Sequence, residues 1–275
     1  MVTTSVVISC CAPNLVFRLS TVRQTRRRST SLAMGTLGSS RPSSSVEYKP
    51  VCGGRIPERR SLLVLLDRDG VINVDVGSPG VCSVENFSLI NGAGESVANL
   101  KRAGASVCVV TNQTSVGKGL LSTSGLNNIH HRMRQLLLHE GGNFAVVDDI
   151  FFATSATHLP CDRRKPAPGM LIEAMEAWNF CGEEKSSSLI TMIGDSVTDM
   201  QAAAAAGVPN RIMVGTGHGR KIWESMLVTF GPGTKSVILS SPNEDPSGTL
   251  PPEIFPLTVC EDITAAVALT LRGVD

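Results

Sequence analysis

The chain has 275 residues, 25 Lys and Arg against 24 Asp and Glu, a formal charge of +1, 42% hydrophobic residues and 4% aromatics, with a mean hydropathy of +0.12. That length excludes a large multidomain machine, and no apolar run approaches the ~20 residues needed to span a bilayer, so no membrane partner is expected. The near-zero charge joins two unlike parts: residues 1–46 hold six arginines and no acid, which leaves 19 basic and 24 acidic groups, net −5, in residues 47–275.

Residues 1–46 also carry ten Ser and six Thr. Such a composition cannot bury enough apolar surface to offset chain entropy, so this leader is expected to be disordered. Being Arg- and Ser-rich, acid-poor and without a continuous apolar core, it reads as an organelle transit peptide rather than a secretory signal. The Ser and Thr excess points to the plastid, with mitochondrion and cytoplasm as alternatives. A linker is placed at 47–60 and a single folded domain at 61–275. The cysteines Cys10, Cys11, Cys52, Cys82, Cys108, Cys161, Cys181 and Cys260 show no CxxC spacing, which argues against a disulfide framework or a zinc ribbon.

From residue 61 onward, short apolar runs alternate with helical patterns. The first run, 62–66 (LLVLL), ends in Asp67-Arg68-Asp69-Gly70. Two carboxylates two residues apart, with a glycine that lets the chain turn away, can present one as nucleophile and the other as acid and base. A carboxylate attacking a phosphoryl group needs a divalent cation and fixed positive charge to offset repulsion. Surface turns use the same residue types, so this signal alone stays open. A helix pattern at 93–103 leads to the second run, 106–110, where Cys108 reads as a small buried hydrophobe. It is followed by Thr111-Asn112-Gln113, a hydroxyl and amides placed where phosphate oxygens could bind, and by Ser115-Val116-Gly117-Lys118-Gly119, which does not match the Walker pattern.

A helix pattern at 122–139 contains His130, His131 and His139, expected on a solvated or half-buried face. The third run, 150–153, is followed by Arg163-Arg164-Lys165-Pro166, cations suited to a phosphoryl group and to another anionic part of a substrate. A helix at 168–179 precedes the fourth run, 189–193, and then Gly194-Asp195-Ser196-Val197-Thr198-Asp199. Asp195 lies where a metal ligand would have to be, with Asp199 one turn on along the same face. The plain alternative is that Asp195 caps the helix at 197–206. A fifth run at 211–214, a surface loop at 240–254, a short strand at 257–259 and a helix at 262–271 capped by Asp262 complete the pattern.

Continuous apolar runs separated by helices predict strands covered on both faces, hence a doubly wound parallel α/β sheet. Ligands in such sheets bind at the carboxyl ends of the strands, where all four polar clusters fall.

The ordered set, LDRDGVINVD, ENFSLINGAGE, VVTNQTSVGKG, CDRRKPAPGML and IGDSVTDMQAAAAAG, resembles the haloacid dehalogenase superfamily over about residues 62–217. Within it the chain is most similar to the phosphatases of heptose bisphosphate and histidinol phosphate. The resemblance implies a Rossmann-like fold and an Mg²⁺-dependent phosphatase for a small phosphorylated sugar or sugar bisphosphate, acting through an aspartyl-phosphate. In it Asp67 is the nucleophile, Asp69 the acid and base, and Thr111 and Lys165 stabilise the phosphoryl group. Mg²⁺ is held by Asp67, the Asp69 carbonyl and Asp195. The substrate is lined by Asp75, Val76, Gly77, Ser78, Asn112, Gln113, Thr114 and Arg164, with Ser196 where heptose enzymes carry a contacting lysine.

Members of the superfamily often carry an inserted cap domain, but here 70–92 reads only as a loop and 113–165 is filled by one helix, one strand and turns, so a capless enzyme is expected. Relatives carry a four-ligand zinc loop before Arg-Lys-Pro. Here only His158 and Cys161 remain, with Arg163 at the last cysteine's position, so no zinc is expected. A polynucleotide 3′-phosphatase shares part of the pattern, but nucleic acid would require a basic face, and the body's net −5 argues against that reading and for no nucleic-acid partner. A monomer or small homo-oligomer is expected.

Overall fold

The computed structural model describes residues 62–180 and 189–273. The expected leader at 1–46, the linker at 47–60 and four of the cysteines (Cys10, Cys11, Cys52 and Cys181) lie outside the described residues. Those at 82, 108, 161 and 260 are free thiols.

Five strands follow the apolar runs: β1 (Leu63–Leu66), β2 (Ser106–Asn112), β3 (Asp149–Ala153), β4 (Ile190–Gly194) and β5 (Asn210–Val214). Between them lie α1 (Ala93–Arg102), the single turn α2 (Thr114–Gly117), α3 (Thr123–Gly141), α4 (Gly169–Ala177) and α5 (Val197–Ala205). After β5 come α6 (Arg220–Phe230), β6 (Ser236–Leu239), β7 (Leu257–Cys260) and α7 (Ile263–Arg272). The seven strands form one sheet in the order β3-β2-β1-β4-β5-β7-β6, parallel except for β6 against β7.

The continuous runs are explained by burial on both faces. In β1, Val64 and Leu66 enter one apolar cluster with α1, α3 and α7, while Leu63 and Leu65 enter a second with α4, α5 and α6. In β2, Val107 and Val109 face the first cluster and Cys108 and Val110 the second. Burial pushes the Cys108 thiol above its ordinary range, in keeping with a small apolar filler. Strands apolar on both sides are what a doubly wound sheet requires, and helices on two layers supply the cover.

Three features differ from the sequence pattern. β6 is an edge strand whose exposure alternates, with Val237 and Leu239 inward and Ser236 and Ile238 outward. Its half-apolar pattern is weaker than that of the central strands. Helix α6 packs Trp223 and Met226 against the sheet. The 240–254 segment runs over the surface yet inserts Leu250 and Ile254 into the core. Helix α7 is capped as expected, the Asp262 side chain accepting from the Ala265 N–H at 2.8 Å.

The chain builds β1, β2 and β3 outward, then returns to place β4 on the other side of β1. The strand order therefore reverses between β1 and β4, and their carboxyl ends, Asp67 and Asp195, flank the crevice that this reversal opens. Among the described residues no domain is inserted between β1 and α1 or between β2 and β3.

Candidate active site

Asp67 follows β1, and its backbone N–H bonds to the Ile193 carbonyl of β4 at 2.9 Å, so the sheet ladder itself fixes its Cα. Its Oδ1 accepts from the Arg68 N–H at 2.7 Å and lies 2.9 Å from Lys165 Nζ. The ammonium also lies 2.5 Å from Asp199 Oδ1 and donates to the Val110 carbonyl at 2.8 Å, so its three protons have three partners. Burial alone would lower the Lys165 pKa, but Asp199 and Asp67 outweigh it and hold the group above the ordinary lysine range.

Asp195, at the end of β4, has its Oδ2 bonded by the His218 N–H at 2.8 Å. Burial, Asp67 and Asp199 together raise its carboxyl, and burial with the neighbouring carboxylates raises that of Asp67 despite Lys165. Carboxylates crowded in this way form a site that is short of positive charge. Oxygens of Asp67, Asp195 and Asp199 lie within 4.8 Å of one another. Asp199 is committed elsewhere, since its Oδ2 bonds the Ser196 N–H and Oγ at 3.0 and 2.7 Å while its Oδ1 holds Lys165. Asp67 and Asp195 therefore remain as the carboxylates for a cation, and a hard divalent ion suits such an oxygen donor set.

Two glycines give Asp195 its room. A Cβ at Gly70, where φ is +81°, would lie 2.1 Å from Asp195 Oδ2, and one at Gly217, where φ is +53°, would lie equally close. Gly217→Ala is accordingly expected to push the Asp195 carboxylate aside and weaken divalent-cation affinity by about 10–100-fold, as losses around metal ligands do. Calorimetric titration with a divalent cation checks this, and an unchanged affinity would refute it.

Asp69 is held differently. Its Oδ1 accepts from Arg68 Nη2 and Asn73 Nδ2, both at 2.9 Å, and its Oδ2 from Arg68 Nη2 at 2.8 Å and Gln113 Nε2 at 2.9 Å. Burial opposes ionisation, but the Arg68 guanidinium and the two amides hold the carboxyl below its ordinary range. Arg68 is itself fully buried, its side chain turned into the core beneath the site.

A cleft of about 590 Å³ opens over these groups. Asp67, Asp69, Thr111, Lys165 and Asp195 line its floor. Asp75, Gly77 and Ser78 form one wall, and Asn112, Thr114 and Ser196 contribute to the rest. Three expected substrate residues stand elsewhere. Val76 points to solvent at 47% exposure, and Gln113 is buried behind Asp69 and Thr111, to which its amide donates. The Arg164 guanidinium is tied to backbone carbonyls of its own loop and is not among the groups lining the cleft. Asn112, besides lining the cleft, grips the Lys165 peptide from both sides: the Lys165 N–H donates to its Oδ1 and its Nδ2 to the Lys165 carbonyl, each at 3.0 Å.

Arg68, Asn73 and the double role of Asp199 do not stand out in the sequence pattern. The signal for Asp199 was present, since Ser-x-x-Asp at a helix start is a capping box, and Ser196 rather than Asp195 caps α5. Of the three histidines expected on a solvated or half-buried face, His131 and His139 are exposed but His130 is buried, and burial first, then the Arg68 charge, lowers its pKa to about 3.

A family model described as haloacid dehalogenase-like hydrolase matches residues 57–207, and the chain belongs to that family. Among relatives, it is 36% identical to the D-glycero-beta-D-manno-heptose-1,7-bisphosphate 7-phosphatase of Bordetella bronchiseptica, over 58% of this chain and 83% of that protein. It is 35% identical to the enzyme of the same name from Pseudomonas putida, over 59% of this chain and 87% of that one. The solved D,D-heptose 1,7-bisphosphate phosphatase of B. bronchiseptica, complexed with magnesium and phosphate, superposes with a TM-score of 0.60 at 32% identity, over 77% of this chain and 98% of that chain.

Proposed function

We propose that this chain is a phosphoric monoester hydrolase that removes a phosphate from a sugar bisphosphate, with D-glycero-D-manno-heptose 1,7-bisphosphate as the first substrate to test. The observation that carries the reading is the Asp67 carboxylate on the cleft floor, 2.9 Å from a buried ammonium and two residues before Asp69. Relatives of which the chain spans more than four-fifths carry the phosphatase name. Lys118 lines the same cleft, forms none of the salt bridges found among the described residues, and is placed to meet a second phosphate.

In this reading an Asp67 oxygen attacks phosphorus, the bond from phosphorus to the sugar oxygen breaks, and Asp69 gives that oxygen a proton. Water then attacks the aspartyl-phosphate while Asp69 takes its proton, releasing inorganic phosphate and restoring both carboxyls. A strongly hydrogen-bonded Asp69 anion suits the base half of the cycle. Arrival of the phosphoryl dianion raises its proton affinity for the acid half. Lys165 and Thr111, which both line the cleft, would stabilise the oxygens on which charge spreads. Mg²⁺ would be held by Asp67 and Asp195 with the Asp69 carbonyl, and when bound it neutralises phosphoryl charge that the site's one buried lysine cannot offset alone.

The test is phosphate release from heptose bisphosphate, histidinol phosphate and a 3′-phosphorylated oligonucleotide, with Mg²⁺ and with chelator. Release from the sugar bisphosphate that stops on chelation is expected. Preference for the oligonucleotide, or activity that survives chelation, would overturn the reading.

A further inference from the structure

Arg164 makes contacts of an unusual kind for a residue next to a catalytic lysine. Its Nη1 donates to the Ser155 and Ala156 carbonyls at 3.2 and 2.6 Å, and its Nη2 to those of Thr157 and Leu159 at 3.0 and 2.9 Å. Four carbonyls of one loop thus converge on a single cation. The stretch between β3 and α4 is irregular, so its carbonyls have no ladder to join and need other donors. A guanidinium, planar and with a fixed fork of donors, can satisfy several at once, which a point-charge ammonium does less well.

The neighbouring contacts make the loop one unit. Arg163 bolts its other side, donating through Nε and Nη2 to the Glu173 carboxylate of α4 at 2.7 and 2.9 Å and through Nη1 to the Phe152 carbonyl of β3 at 2.9 Å. The end of α2 packs on the same loop, since a Cβ at Gly117 would lie 2.3 Å from the Thr154 carbonyl oxygen and 2.5 Å from the Ala156 nitrogen. The residue after Arg164 is Lys165, whose peptide is clamped by Asn112. The loop therefore carries the buried ammonium and also supports the turn that begins with Thr114.

We propose that Arg164 is a positioning residue, which gathers the carbonyls of Ser155, Ala156, Thr157 and Leu159 into a fixed loop so that Lys165 is aimed at Asp67, rather than a residue that recognises substrate. As a statement about catalysis it rests on the phosphatase reading. As a statement about the loop it stands without it.

The experiment uses the full chain with Arg164→Ala and Arg164→Lys, and p-nitrophenyl phosphate and heptose bisphosphate as probes. A displaced Lys165 costs turnover on every phosphate ester, so kcat should fall by about tenfold to a hundredfold on both probes in Arg164→Ala, as an ångström-scale misplacement does. KM should stay within about a factor of two. Arg164→Lys should fall between the two proteins, and millimolar guanidinium ion should restore part of the lost kcat in Arg164→Ala. Limited proteolysis should show new cleavage within residues 155–163 in the Ala variant. A rise in KM for the bisphosphate alone, with kcat unchanged, would assign Arg164 to substrate recognition and overturn the proposal. If the unsubstituted chain hydrolyses neither probe, the phosphatase reading fails, and the cleavage pattern alone decides: an opened loop supports the clamp, and an unchanged pattern overturns it.

Discussion

Asp67→Asn is expected to lower phosphate release by on the order of 10⁴-fold or more while leaving the protein folded, since an amide cannot form the acyl-phosphate bond and the remaining groups act only as a unit. The same substitution has a second, opposite consequence for stability. Asp67 is raised from 3.8 to about 7, chiefly by burial and then, against the pull of Lys165, by Asp199 and Asp69, and Asp195 is raised from 3.8 to about 8 by burial and then by Asp67 and Asp199. A carboxyl whose folded pKa is raised binds more protons folded than unfolded, so it favours folding at low pH and loses that advantage as pH rises through the folded value. With chelator present, the unsubstituted protein should therefore lose stability between about pH 4 and pH 8. The slope should be smaller in Asp67→Asn, and Mg²⁺ should flatten it in the unsubstituted protein. Urea titrations at several pH values, alongside phosphate release, measure both effects. Retained turnover in the variant would dismiss Asp67 as the nucleophile, and stability that increases with pH would contradict the electrostatic picture.

Lys165→Met carries the largest expected loss of stability. Its side chain is 2% exposed and is the ammonium partner of Asp67 and Asp199, which it would leave buried without their cation. Breaking a buried pair from one side costs about 3–5 kcal/mol because the remaining charge is uncompensated. Turnover should fall by roughly 10²–10³-fold as one stabiliser of the developing charge is lost. Adding Asp199→Asn to Lys165→Met should recover part of the stability and none of the activity, because it removes a stranded charge without replacing the cation. Denaturant midpoints for the single and double variants decide this. Additive losses would mean that the two groups do not act on one another.

How far the chain announces this arrangement depends on where each residue's partner lies. Asp67 and Asp195 directly follow the fully buried strands β1 and β4, Thr111 lies near the end of the buried run of β2, Lys165 comes one loop after the half-buried edge strand β3, and a run such as LLVLL ending in an acid is visible as a local pattern. The doubly wound sheet follows from the same runs. β6 does not, because an edge strand with one solvent face spends only two residues on the core. Arg68 lies in a turn of a type that the surface also uses, yet it is fully buried, with Asp69 accepting from its Nη2 alone. Arg164 shows the same limit. Arg-Lys-Pro reads as a basic loop facing a phosphate, whereas the four acceptors that turn its guanidinium away are backbone carbonyls, which every residue possesses and no sequence pattern displays.

The Asp199 carboxylate joins two matters that are usually separate. One oxygen closes the first turn of α5 with Ser196, and the other directs the Lys165 ammonium. Opening of that turn would turn the carboxylate and leave the lysine to Asp67 and the Val110 carbonyl alone, so the onset of heat inactivation should report the opening of a single helix end rather than melting of the sheet. Such an enzyme would fall silent while its core was still intact, and on cooling it would regain activity as fast as one turn of helix re-forms.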